Sequence, residues 1–148
     1  MGINTAFAGR QYPPTDGYEV SRVKIAEFAE AIGSDDPAHR DPAAARALGH
    51  PDVVAPPTFA VIVAQRAEAQ LFTDPEAGVD WSRLVHGEER FAHHRPIVAG
   101  DLLVAVLHVE TAREVGGNGL VTTRVEISDE RGEPVSTVRS TVVVRGDA

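Results

Sequence analysis

Read from the N-terminus, the chain shows helical spacing first and strand spacing later. Ile25, Phe28, Ala29 and Ile32 fall at i, i+3, i+4 and i+7, one apolar stripe of an α-helix, with Ser21 placed to cap its start and Gly33 to end it. A polar stretch from Ser34 to Asp41 follows. Asp41-Pro42 reads as an N-cap with proline at the first helical position, and predicts a short helix from Pro42 to Leu48 that stops at Gly49. His50 to Pro56 reads as an extended connection. Pro56-Pro57 then opens a third helix running to about Phe72, whose first half, Phe59 to Ala64, is apolar on every side. A surface helix would carry a polar face there, so this one is expected to be buried on most of its circumference. Polar residues enter only after Gln65, at Arg66, Glu68 and Gln70.

From Ser82 the periodicity changes. Leu84 to His94 reads as a strand closed by Pro96 and Gly100, and Leu102 to Arg113 as a second. Gly116-Gly117-Asn118-Gly119 is a hairpin signal. Val121, Thr123, Val125 and Ile127 alternate with Thr122, Arg124 and Glu126, which fits a half-buried strand, and a turn at Asp129 to Gly132 leads into Val135 to Arg145. Near the start, residues 1–12 read as an arm ended by Pro13-Pro14, before a short strand through Tyr18, Glu19 and Val20. Helices therefore come first and an antiparallel meander second. This order predicts an α+β architecture with the sheet wrapped around the long apolar helix. One sheet around one helix leaves apolar surface and strand edges uncovered, which predicts a symmetric or pseudo-symmetric dimer.

Composition narrows the class. The 148 residues fit one domain, and 43% hydrophobic with 24% charged residues is ordinary globular composition. No apolar run reaches the roughly 18 residues of a membrane span, and the N-terminus lacks the layout of a signal peptide, so a cytoplasmic protein is expected. The absence of cysteine excludes disulfides, zinc–thiolate sites and a cysteine nucleophile. A net charge of −8 argues against nucleic acid as a partner.

Three stretches carry candidate chemistry. The loop Gly33-Ser34-Asp35-Asp36-Pro37-Ala38-His39 brings a histidine and two carboxylates close in sequence, a combination able to move protons near neutral pH. The same composition is common in loops where Ser and Asp cap helices and the histidine is merely exposed. The second stretch is the start of the apolar helix, Pro57-Thr58-Phe59, where unpaired N–H groups would polarise a carbonyl. Pro57 has no N–H, leaving Thr58, Phe59 and Ala60 as donors. A plain helix start is the competing reading. In the third, His86 to Pro96, strict alternation puts His86, Glu88, Arg90, Ala92 and His94 on one face and Gly87, Glu89, Phe91 and His93 on the other. No ligand motif is complete there, so no metal is expected, and His86 and Glu89 are read as polar residues at a cleft rim or dimer interface. There is no GxSxG elbow and no phosphate-cradling glycine loop, and no cofactor is implied. His50 and His108 stand alone.

The run FAEAIGSDDPAHRDPAAARALGHPDVVAPPTFAVI, followed by HGEERFAHHRPIVAGDLL, resembles the MaoC-like (R)-specific hydratase/dehydratase family in its single-domain form. The resemblance covers Tyr12 to Arg145. It implies a hot-dog fold, pairing of two hot dogs, and an acyl-thioester tunnel at or beside their interface. The family's active loop reads Gly-Asp-x-Asn-Pro-x-His, in which Asp and His act as an acid–base pair on a 3-hydroxyacyl thioester. Gly33, Pro37 and His39 match. Ser34 stands at the catalytic Asp position and Asp36 at the Asn position. The altered loop is similar to that of non-catalytic subunits of heterodimeric (3R)-hydroxyacyl-ACP dehydratases. Two expectations follow. In one, the chain is a homodimeric dehydratase or enoyl hydratase, with His39 as base and Asp35 or Asp36 as stand-in acid. In the other, it is a silent subunit that binds the acyl chain, of acyl-ACP or acyl-CoA, beside a catalytic MaoC-like partner. A hot-dog thioesterase ranks last, because it needs an acid or base facing the thioester from the buried helix, and that helix is apolar through its first turns. Arg90 and Arg95 are candidates for docking an acidic carrier protein.

Overall fold

Ser21 Oγ accepts the Lys24 N–H at 3.1 Å and starts the first helix as its position suggests. In chain order, the computed structural model, which describes residues 2–147, contains β1 (Tyr18–Glu19), α1 (Arg22–Ala31), α2 (Pro42–Ala47) and α3 (Ala60–Phe72). The strands β2 (Leu84–His93), β3 (Leu102–Val115), β4 (Asn118–Asp129) and β5 (Pro134–Val144) follow. Ile25 and Ala29 of α1 are buried, whereas Ile32, which ends the stripe, is half exposed at the C-cap. Asp41 caps α2 by accepting the Ala43 N–H at 2.9 Å.

The strands form one antiparallel sheet in the order β1-β3-β4-β5-β2. Its concave face carries Leu103, Ala105, Leu107 and Val109 of β3, Val121, Val125 and Ile127 of β4, and Val138 and Val142 of β5, all buried. These pack on α3 through Ala60, Val63, Ala64, Ala67 and Leu71, so the sheet curls around the helix as a hot dog. Alanine at three of those five helix positions lets the sheet approach the helix closely. No helix among the described residues is long and apolar enough to cross a membrane.

Three differences from the pattern reading have local causes. First, α3 begins at Ala60 and not at Pro57, because Pro56 to Phe59 close a tight turn with the Phe59 N–H on Pro56 O at 2.9 Å. Second, the N-terminal arm is bound. Ile3 and Phe7 are buried, and the N–H groups of Gly9, Tyr12 and Thr15 donate to Val109, Leu107 and Ala105 along β3. Third, β2 contains a bulge at Gly87, where the pairing slips between His86–Val142 and Glu88–Thr141. The arm and β1 cover the sheet's β3 side, while among the described residues β2 is paired only on its β5 side, and Val85 and Trp81 there are 46% and 56% exposed.

Candidate functional site

The His39 loop is held in place by the end of α1. Gly33, in the left-handed region at φ 73°, gives its N–H to Glu30 O at 3.1 Å, and Ser34 gives its N–H to Ala29 O at 2.8 Å. These two bonds form a Schellman closure. Arg40 Nη2 then donates to Ser34 O at 2.6 Å and fastens the loop from its far end. Asp36 Oδ1 accepts the Ala38 N–H at 2.9 Å and caps a single 3₁₀ turn, Pro37–His39.

His39 is buried, at 7% exposure, which overturns the reading of an exposed loop histidine. Its Nδ1 lies 2.6 Å from Val54 O. A carbonyl only accepts, so Nδ1 carries a proton and donates it, and Nε2 is the ring nitrogen left for another partner. Val54 in turn gives its N–H to Ala38 O at 3.1 Å, tying the turn to the segment that leads into α3. The carboxylates lie elsewhere. Asp35 and Asp36 are exposed, Asp36 serves as the cap, and among the described residues no carboxylate bonds the His39 ring. The structure thus orients the His39 ring through Val54 and leaves Asp35 and Asp36 away from it.

At the start of α3, Phe59 fails as a carbonyl-polarising residue. Its N–H is already bonded to Pro56 O, and its ring is fully buried edge-on against Phe28 at 5.5 Å. Pro57 and Thr58 are exposed on the turn before the helix.

The bulge at Gly87 corrects the strict alternation assumed for β2. It brings His86, opposite Val142, onto the same side as Glu89, opposite Ser140. There they meet Glu68 of α3, and one ligand atom of each of the three residues lies within 4.8 Å of the others. Glu68 is 1% exposed. Ser140 Oγ lies 2.9 Å from Glu68 Oε1 and 2.8 Å from each carboxylate oxygen of Glu89, while Glu68 Oε2 has no partner among the described residues. Burial, reinforced by the charge of Glu89 and opposed by the Ser140 hydrogen bond, pushes the Glu68 carboxyl up to about 7. Beside the cluster, Gln65, Phe72, Trp81, Leu84 and His86 line a cavity of about 200 Å³. Sequence reading missed Glu68 although a signal existed. It lies four residues after Ala64 and three before Leu71, on the buried face of the helix.

A model of the FAS1-like dehydratase domain region matches residues 6–138. The chain belongs to that family. Over 148 residues it is 54% identical to a UPF0336 protein of Saccharopolyspora erythraea, covering 100% of this chain and 95% of that protein. Among solved structures, it is similar to a chain of the HadBC (3R-hydroxyacyl-ACP dehydratase) complex of Mycobacterium tuberculosis. There the identity is 32% and the TM-score 0.83, with 93% of this chain and 96% of that one covered. A MaoC-like dehydratase matches at 37% identity and a TM-score of 0.86, across 95% of this chain and 43% of that longer one. The MaoC-like hot-dog fold of this dehydratase-region chain is therefore established.

Within this fold the two arginines singled out for carrier docking are already engaged. Arg95 bonds Asp101 at 2.9 and 3.0 Å and reaches Asp129 at 3.4 Å, and Arg90 pairs with Glu88 at 2.8 Å. Arg95 ties the turn before β3 to the end of β4, which is a structural role.

Proposed function

We propose that this chain is a subunit of a (3R)-hydroxyacyl-thioester dehydratase, running equally as a trans-2-enoyl-thioester hydratase, in cytoplasmic fatty-acid-type metabolism. It binds the acyl chain of an acyl-ACP or acyl-CoA substrate, and a second MaoC-like hot dog supplies the complete acid–base pair. The observation that carries this reading is the His39 loop. Dehydration needs one group to take the α-proton and another to protonate the departing β-hydroxyl. His39 is oriented for the first task, but Ser34 stands where the resemblance places the carboxylate, and Asp35 and Asp36 face solvent. A serine hydroxyl does not replace a carboxyl as a proton donor near neutral pH.

Two further features support a paired arrangement. The free edge of β2, with Val85 and Trp81 exposed beside it, is a surface that a second sheet can cover. The cavity at Trp81 and His86, about 200 Å³, is below the roughly 300 Å³ at which ligand pockets begin, so an acyl chain seated there would need further walls, which a partner at the β2 edge can supply. The retained, buried His39 favours a second reading, a self-sufficient homodimer. Mixing separates the two. Gel filtration with a MaoC-like protein that carries both Asp and His should give a 1:1 complex with raised dehydratase activity. Turnover by this chain alone, lost in His39→Ala, would establish the homodimer instead.

A further inference from the structure

We propose that Glu68, His86 and Glu89 form a binding site for a divalent transition-metal ion of Zn²⁺ type. The site lies between α3 and β2 and is independent of the dehydratase reading. The three residues come from two elements brought together only by the fold, and the β2 bulge is what swings His86 to the side of Glu89. One nitrogen and two carboxylate donors suit a borderline ion, with Zn–N and Zn–O distances of about 2.0–2.2 Å. Ligands on a tetrahedral ion stand about 3.4 Å apart. The present atoms all lie within 4.8 Å of one another, so an ion bound among them draws them closer together.

The second observation is an unmet need inside the cluster. Glu68 is 1% exposed and its Oε2 has no hydrogen-bond partner among the described residues. Ser140 offers one hydroxyl proton, yet its oxygen stands within 2.9 Å of two different carboxyl groups. One proton cannot serve both. A cation seated among these oxygens removes the conflict and gives Glu68 Oε2 a partner. Exposed His86 and the adjoining cavity give the ion a way in, and a three-ligand set leaves a coordination position open.

The test uses full-length, tag-free protein stripped with chelator and dialysed against Zn²⁺ at about pH 8, with bound metal counted by mass spectrometry. Co²⁺ substitution reports ligation through its visible bands. The proposal expects one ion per chain, affinity at least about tenfold weaker in His86→Ala and in Glu68→Gln, and no change in His50→Ala. His86 is exposed, so its variant remains informative if Glu68→Gln proves poorly folded. Binding below one ion per chain, or binding that His86→Ala weakens by less than tenfold, would overturn it.

Discussion

Replacing Glu68 by glutamine tests how the buried carboxyl is charged. The folded chain holds Glu68 up to about 7 against an ordinary value of 4.5, because burial penalises its anion and Glu89 repels it. An acid raised in the folded state stabilises the fold fully below its unfolded value and loses that contribution as pH climbs through the folded one. At 1.36 kcal/mol per pH unit, the gap corresponds to about 3 kcal/mol, most of which falls between pH 5 and pH 8. Glu68→Gln stays neutral throughout and keeps a group able to donate to Ser140 Oγ, so its stability should not follow that decline. Urea unfolding of both proteins, at one protein concentration with chelator present, gives the difference between their unfolding free energies at each pH. Groups titrating identically in both cancel in that difference. The difference should move in favour of the variant by about 2 to 3 kcal/mol from pH 5 to pH 8. Parallel profiles would refute the reasoning.

Ser34→Asp with Asp36→Asn restores the loop Gly-Asp-x-Asn-Pro-x-His, and asparagine still caps the Pro37 turn. The pair should raise enoyl-thioester hydration by the isolated chain at least about tenfold, since a positioned proton donor contributes about 10²–10⁴-fold. An unchanged rate would mean that more than the carboxylate is missing. Phe59→Ala should cost about 3–5 kcal/mol in urea unfolding, as expected of a buried ring. A near-neutral Phe59→Ala would remove the core assignment. Arg95→Ala should destabilise by about 2 kcal/mol through loss of its bonds to Asp101 and Asp129, and should leave carrier-protein binding unchanged when measured by titration calorimetry.

The helices and the meander were legible because each announces itself locally. Ser21, Asp41 and Gly33 are caps whose chemistry needs no tertiary context, and the alternation of β4 from Val121 to Ile127 survives intact as its buried face. His39 was legible as a site residue only through the family loop. Its burial depends on Val54, which lies fifteen residues away in sequence and meets it only in the fold. The His86–Glu89 side was misassigned because a bulge inserts one residue and reverses the alternation beyond it, and an unmarked glycine within a strand pattern does not say whether it bulges. Glu68 reads as a surface residue after Gln65 until Ser140 and Glu89 are seen to enclose it, a contact 72 residues away in the case of Ser140. Phe59 looked like a helix-start donor because a run of prolines conceals whether the chain first makes a turn.

The central claim is that this chain contributes binding to a dehydratase whose acid–base pair lies in another hot dog. The most direct measurement is hydration of a trans-2-enoyl thioester by the purified chain alone, beside its His39→Ala variant, and again after adding a MaoC-like partner that carries both Asp and His. The account predicts no turnover above the uncatalysed rate from the chain or its His39→Ala variant alone, and on mixing, turnover exceeding that of the partner by itself. Turnover by the isolated chain that disappears in His39→Ala would contradict it and make Asp35 or Asp36 the acid of a self-sufficient enzyme.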